Sequence, residues 1–200
     1  MQDFPETRLP DTDREELSPA NKRRGIIRFV AILLITAAVA AGLALLVNYL
    51  VFEPFYVNGP SMQPTLDGGR SDVDEDGDIV YLNTVKKPSR GDIVVFSYEN
   101  RHLVKRVIGV PGDTVLIKDG ELYLNGELMS EDYILEDMAD SPYSDQTFLS
   151  LTVPDGAYYV LGDNRNNSSD SRVFGCVSED DITGVCWLVR RASDGKLHLL

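Results

Sequence analysis

Arg101-His-Leu-Val-Lys-Arg-Val-Ile-Gly-Val-Pro-Gly-Asp113 decides how the rest of the chain is read. Along a strand, successive side chains point to opposite faces, so Leu103, Lys105 and Val107 share one side while His102 and Arg106 take the other. Lys105 then sits among apolar neighbours. An unpaired ammonium is disfavoured there, so the amine's pKa falls toward neutrality and the nitrogen becomes available as a base.

Outward from this stretch the texture stays β. Runs rich in Val, Ile, Tyr and Phe recur at Ile79–Leu82, Ile93–Tyr98, Leu103–Val110, Thr114–Lys118, Glu121–Leu124, Ala157–Leu161 and Val185–Val189. Turn signals separate them: Pro88-Ser-Arg-Gly91, Pro111-Gly-Asp113, Asp119-Gly120, Asn125-Gly126 and Pro154-Asp-Gly156. Asp119-Gly120 between two runs predicts a tight hairpin. Residues 127–150 are polar and acidic without apolar spacing, and read as an excursion from the core. The expectation is a mostly β domain over residues 53–200, built of coiled or barrel-like sheets.

Upstream, Phe29 to Val47 is a run of 19 residues without a charge. As a helix it spans about 28 Å, close to the hydrocarbon thickness of a bilayer. Residues 29–52 therefore read as a transmembrane anchor. A cleavable leader would have a shorter apolar core, and Ala38-Val39-Ala40, the one Ala-x-Ala site, falls inside the run. Lys22, Arg23, Arg24 and Arg28 precede the run and no basic residue follows until Arg70, which places the N-terminus in the cytoplasm and the β domain outside. Residues 1–28, with six acids between Asp3 and Glu16, read as a polar cytoplasmic tail without a fold of its own.

Acids outnumber bases by 32 to 19, a net charge of −13, which argues against nucleic acid as a partner. Two cysteines are too few for a disulfide scaffold or a thiolate zinc site, and two histidines leave little for metal or Ser-His chemistry. Asp72, Asp74, Asp76 and Gly77 match the first half of a calcium loop, but Asn83 stands where the closing glutamate belongs, so the segment reads as a solvated turn. Cys176 and Cys186 flank the turn Ser178–Gly184. They admit two readings, a disulfide across adjacent antiparallel strands or two free thiols packed as small apolar groups.

Two polar stretches complete the candidate chemistry. In Asn58-Gly-Pro-Ser-Met-Gln-Pro-Thr-Leu66 the glycine and prolines make a stiff turn that presents the Ser61 hydroxyl and nearby backbone N–H groups. A serine hydroxyl needs a base to become a nucleophile, and here the base is not expected to be histidine. In Leu161-Gly-Asp-Asn-Arg-Asn-Asn-Ser-Ser-Asp-Ser-Arg172 no apolar residue follows Leu161, so the loop is expected outside the core, with Asp170 and Arg172 as a bidentate pair that fixes it.

These motifs, with Arg90-Gly-Asp-Ile-Val-Val-Phe96, closely resemble the bacterial type I signal peptidases, membrane-anchored endopeptidases that remove signal peptides from exported proteins. The resemblance runs from the anchor to about Leu188. It implies a coiled-sheet catalytic domain, Ser61 as nucleophile, Lys105 as general base, Ser168 hydrogen-bonded to the lysine, and Asp170 with Arg172 as a structural pair. It also implies that Val57, Met62, Leu66, Leu103 and Val104 wall the pockets for small side chains of Ala-x-Ala sites, and that no metal or cofactor is required. Some members carry a serine at the position of Gly59, where its hydroxyl helps hold the oxyanion; with glycine the hole leans on backbone N–H groups. The implied partners are signal peptides emerging from the export machinery, and the bilayer. Two rival readings remain: a membrane-tethered β binding module with an incidental serine and lysine, and a self-cleaving repressor-type Ser-Lys peptidase, which would need a DNA-binding module and a cytoplasmic location.

Overall fold

The computed structural model describes residues 19–69, 77–139 and 149–200, with side chains described except at 19–22 and 46–53. It divides into two units, the chain up to Val47 and Asn48–Leu200.

The described part of the first unit is helical, most of the helix α1 (Pro19–Val51), whose last residues fall in the second unit. Proline suits a first helical turn, where its missing N–H has no helical acceptor to lose. Within α1, Arg23–Leu45 is long and apolar enough to cross a membrane, and its described residues are exposed. The helix starts ten residues before the uncharged run, so residues 19–28 are helical and not the unfolded tail expected of them. The reason is local: lysine and arginine are good helix formers, so the basic cluster interrupts hydropathy without interrupting the helix. Residues 1–18 of that tail lie outside the described residues.

The second unit is two antiparallel sheets. The larger comprises β1 (Phe52–Tyr56), β2 (Ile79–Asn83), β3 (Ile93–Tyr98), β4 (Arg101–Gly109), β9 (Ala157–Leu161), β10 (Val177–Ser178), β11 (Ile182–Arg190) and β12 (Leu197–Leu199). Its order is β1-β2-β11-β3-β4-β9-β10, with β12 on the other part of β11. The smaller comprises β5 (Thr114–Lys118), β6 (Glu121–Leu124), β7 (Glu127–Leu128) and β8 (Ser150–Thr152), in the order β7-β6-β5-β8. A four-residue helix, α2 (Ser171–Phe174), follows the polar loop. The mostly β expectation holds, and the sheets are open: neither closes into a barrel among the described residues.

Every β run read from the sequence is a strand. Those that went unread are short or carry a proline. Pro54 lies in β1, an edge strand with β2 as its one partner, where a missing N–H breaks no central ladder. The Asp119-Gly120 hairpin forms as expected, both residues at positive φ (52° and 80°). Glu99-Asn100 makes the same kind of turn without glycine, at φ 45° and 61°, joining β3 to β4 with Tyr98 opposite Arg101.

The larger sheet is buried on both faces. Ile93 and Val95 of β3 pack with Val57, Leu82 and Val104, while Val94 and Phe96 pack with Val107, Tyr158 and Val160. A third cluster joins β9 to the smaller sheet through Tyr159, Leu161, Val115 and Leu122. Leu103 and Val107 side together and Val104 opposes them, as the period of two requires.

Cys176 and Cys186 are both free thiols. The turn between them does not join paired strands: Val177–Ser178 pairs with β9, and β11 pairs with β2 and β3. Cys186 is buried with Val57 and Leu82, and Cys176 packs against the third cluster. Burial raises both thiols, Cys176 to about 11. Reducing agent should therefore leave Tm unchanged, and a thiol reagent should titrate two thiols in denaturant without reductant. Fewer than two would contradict the packing.

Candidate active site

The turn carrying Ser61 is held by its own backbone. Gly59 takes φ +81°, the Gln63–Pro64 peptide is cis, and Leu66 N–H donates to Met62 O at 2.8 Å. Gly68 lies so close beneath that an added Cβ would meet Gly59 O at 1.9 Å, so only glycine fits there. Met62 and Leu66 anchor the turn in the core.

Lys105 comes from the centre of β4, and its Nζ is hydrogen-bonded to Ser61 Oγ at 2.8 Å. The side chain is 3 % exposed. Burial lowers its pKa from 10.5 to about 8, with the charges of Asp170 and Asp163 pulling the other way. Nζ also donates to Val104 O at 2.8 Å, which fixes the rotation of the amine. His102 lines the same cleft, but its ring meets Phe55 edge-on at 5.4 Å between centroids, and the nitrogen bonded to Ser61 is that of Lys105.

Ser168 departs from expectation. Its Oγ is buried without a hydrogen-bond partner among the described residues, and the second bond of the lysine amine goes to the Val104 carbonyl instead. Ser168 is nonetheless at the site: a Cβ on Gly162 would meet its Oγ at 2.3 Å and Ser61 O at 2.5 Å. Of the backbone N–H groups on which the hole is expected to lean, that of Gly59 donates to Gly68 O at 3.2 Å, whereas that of Ser61 has no acceptor among the described residues.

The polar loop after β9 is largely buried, with Asn166, Asn167 and Ser169 exposed, contrary to its reading as a segment outside the core. Asp163, Asp170 and Ser171 are fully buried, and Arg165 and Arg172 nearly so. Low apolar content misled because each charge is paired, and paired, hydrogen-bonded ions can be enclosed. Asp170 and Arg172 form the expected bidentate pair at 2.8 and 2.9 Å. Asp170 also accepts from Gly162 N–H at 3.0 Å and caps α2 at Arg172 N–H. Arg106 of β4 pairs with Asp163 at 2.8 and 2.6 Å and reaches Thr65 Oγ1. Asn164 completes the junction: its N–H donates to Ser61 O at 3.1 Å and its Nδ2 to Pro60 O at 3.2 Å. The loop thus holds the carbonyls of Pro60 and Ser61, one on each side of the Ser61 Cα.

In its described part the segment after β7 is mostly exposed, with contacts to the site's supports and the core at a few residues. Glu131 pairs with Arg165, the Tyr133 ring lies 4.1 Å from the Arg106 guanidinium, and Met138 is buried. Residues 140–148 lie outside the described residues. Reading the sequence missed Arg106, Asp163, Asn164, Arg165 and Glu131 as supports. The density of hydrogen-bonding groups in the loop was the available signal for three of them, whereas nothing local marks Glu131.

A cleft of about 420 Å³ opens beside Ser61, lined by Phe55–Asn58, Met62 and Asn100–Lys105. Val57, Met62, Leu103 and Val104 are among the residues that line it, while Leu66 is wholly in the core. In β4, pairing with β9 begins only at Arg106, so Arg101–Lys105 has β3 on one side and no strand on the other among the described residues. No cluster among the described residues could hold a metal ion. Of the calcium-like loop, Asp72, Asp74 and Asp76 lie outside them. Asp78 is buried and committed to Arg191 and to the N–H groups of Asp67 and Ala192.

A serine hydroxyl bonded to a buried amine of depressed pKa, beside an open cleft with a free strand edge, has the parts of an acyl-transfer site on a β scaffold. Comparison narrows the class. Residues 26–189 match the family described as "Signal peptidase, peptidase S26". The chain is 37 % identical over 180 residues to Signal peptidase I of Bacillus amyloliquefaciens, covering 86 % of this chain and 91 % of that protein. It is 42 % identical over 157 residues to Signal peptidase I T of Bacillus subtilis (strain 168), covering 73 % and 77 %. A crystal structure of a signal peptidase I from Enterococcus faecalis V583 aligns at 41 % identity with a TM-score of 0.44, covering 50 % of this chain and 97 % of that one. The chain belongs to the signal peptidase family, peptidase S26, and is a serine peptidase.

Proposed function

We propose that this protein removes signal peptides with a Ser61–Lys105 dyad, cleaving preproteins after small residues of Ala-x-Ala type sites. The observation that carries the reading is the 2.8 Å contact between Ser61 Oγ and an amine whose pKa burial lowers to about 8. At pH 7 about a tenth of that amine is unprotonated, against a far smaller share for a free lysine at 10.5. Neutral Lys105 accepts the Ser61 proton as Oγ attacks the scissile carbonyl carbon, and the resulting ammonium returns the proton to the leaving amine. Water, deprotonated by the same lysine, then hydrolyses the acyl-enzyme and regenerates Ser61. The Ser61 N–H is placed to stabilise the oxyanion. Asp170, Arg172 and Ser168 are read as supports of the loop that seats Ser61.

Substrate is read as an extended segment laid against the free edge of Arg101–Lys105, opposite Phe55–Asn58. Val57, Met62, Leu103 and Val104 leave apolar room there, which favours small side chains. Helix α1 is read as the anchor. The basic cluster before it supports a cytoplasmic N-terminus and an external β domain, on the side where exported preproteins present their cleavage sites.

In a peptide-cleavage assay on detergent-solubilised protein, Ser61→Ala and Lys105→Ala should each abolish turnover without adding in the double variant, because the pair acts as a unit. Near-normal turnover by either would sink the dyad. For the unmodified enzyme, kcat/KM should rise with pH as the free-enzyme amine deprotonates and level off above about 8. A profile already flat from pH 6 would assign the base elsewhere.

A further inference from the structure

Around the loop that seats Ser61, the buried charges match one to one only if a residue outside both motifs is counted. Asp163 is taken by Arg106 of β4, and Asp170 by Arg172. That leaves Arg165, 2 % exposed, with no acid inside the loop to neutralise it. Its partner is Glu131, which accepts from both terminal guanidinium nitrogens at 2.7 and 2.5 Å and is itself almost fully buried. Tyr133 OH donates to the same carboxylate at 2.5 Å, and its ring covers Arg106. Two cationic supports of the site therefore converge on one short segment of the strap that follows β7.

Arg165 is tied to the loop through its own atoms. Its Nε donates to Gly162 O at 3.0 Å and its carbonyl accepts from Arg172 at 2.7 Å. Gly162, in turn, packs against Ser61 O, and the neighbouring Asn164 donates to it. A displaced Arg165 side chain shifts the residues that touch the nucleophile's own carbonyl.

We propose that Glu131 is a positioning residue for hydrolysis: by neutralising and clamping Arg165 it holds the Gly162–Asn164 segment, and through it Ser61, in register with Lys105. The inference rests on reading Ser61 and Lys105 as the reacting pair. Without the Glu131 charge, the buried guanidinium is left with Asp170 as the other carboxylate that acts on it, in competition with Arg172 and Gly162 N–H. The strap itself stays docked, because Asn166 donates to Asp137 O at 3.0 Å and accepts from Ala139 N–H at 2.8 Å. None of these residues lines the cleft, so substrate binding is untouched.

The test uses the full-length protein in detergent, with Ser61→Ala, Glu131→Gln, Glu131→Asp and Tyr133→Phe assayed for kcat, KM and melting. Glu131→Gln should stay folded at the assay temperature and lose kcat by about ten- to a hundredfold with KM little changed, the size expected of a sub-ångström to ångström misplacement. Glu131→Asp, which keeps the charge, should recover most of that loss; a merely space-filling role would give Asp no advantage over Gln. Should Glu131→Gln fail to fold, Tyr133→Phe decides: it removes one hydrogen bond to the carboxylate and should lower kcat about threefold with KM unchanged. Unchanged kcat in the folded Glu131→Gln protein, or in Tyr133→Phe where that protein does not fold, overturns the proposal. So does a change confined to KM, or equal loss in the Asp and Gln variants. Those outcomes with an inactive Ser61→Ala protein refute the positioning role alone, whereas an active Ser61→Ala protein refutes the dyad and the inference together.

Discussion

Lys105→Met is expected to give a protein that cleaves no signal peptide and yet melts at a higher temperature than the unmodified enzyme at pH 7. Burial holds the folded amine at about 8 against 10.5 for a free lysine. Between those values the unfolded chain binds more protons than the folded one, so the lysine's contribution to stability improves as pH rises through the window. Below about 8 the full penalty applies. At 1.36 kcal/mol per unit of pKa it amounts to about 3 kcal/mol. Methionine fills similar space without a charge and removes that cost, at the loss of the bonds to Ser61 Oγ and Val104 O. The difference in Tm between the two proteins should therefore shrink from pH 7 toward pH 10. A Lys105→Met protein less stable than the original at pH 7, with a gap that does not depend on pH, would mean that burial does not lower the pKa of the amine. Turnover by that protein would remove Lys105 from the chemistry altogether.

Gly162→Ala is expected to lower kcat by about a hundredfold from a single methyl group, the scale of an ångström misplacement at a reacting centre. The added Cβ would stand 2.3 Å from Ser168 Oγ and 2.5 Å from Ser61 O. The serine hydroxyl can rotate aside, but a backbone carbonyl cannot. Relief must come from moving Ser61 or the loop, against the hydrogen bonds that Asn164 donates to the Ser61 turn and the one that Asp170 accepts from Gly162 N–H. Overpacking of this kind costs about 1–3 kcal/mol in stability, so the variant should still fold and bind substrate. Normal kcat would show that the junction between the loop and the Ser61 turn is looser than the distances imply.

The comparison with Gly68 is instructive, because the clash there falls on the Gly59 carbonyl at 1.9 Å, within the turn itself. Both glycines are permitted by close approach of two backbones, which no single stretch of sequence displays.

What could be read from the chain alone was whatever depends on neighbours in sequence. The period of two assigned the strands and set Lys105 among apolar residues, because side-chain direction along a strand is a local property. Turn chemistry set the hairpin at Asp119-Gly120, and hydropathy marked the apolar helix although not its first turns. The serine turn and the Asp170–Arg172 pair were legible because each is built within a few residues.

Tertiary structure decided whatever joins distant segments. That Ser61 and Lys105 meet at 2.8 Å follows from the turn after β1 being carried to the free part of β4, 44 residues on. The cysteines looked bridgeable along the chain, yet their strands take different partners. The Gly162–Arg172 loop lacks apolar residues and its charged side chains are buried all the same, because burial of ions is governed by pairing, and the partners Arg106 and Glu131 lie 57 and 34 residues away from Asp163 and Arg165. Hydropathy counts one residue at a time, whereas electrostatic neutrality is a property of the assembled neighbourhood, and so the supports of the site emerged only when the chain was folded.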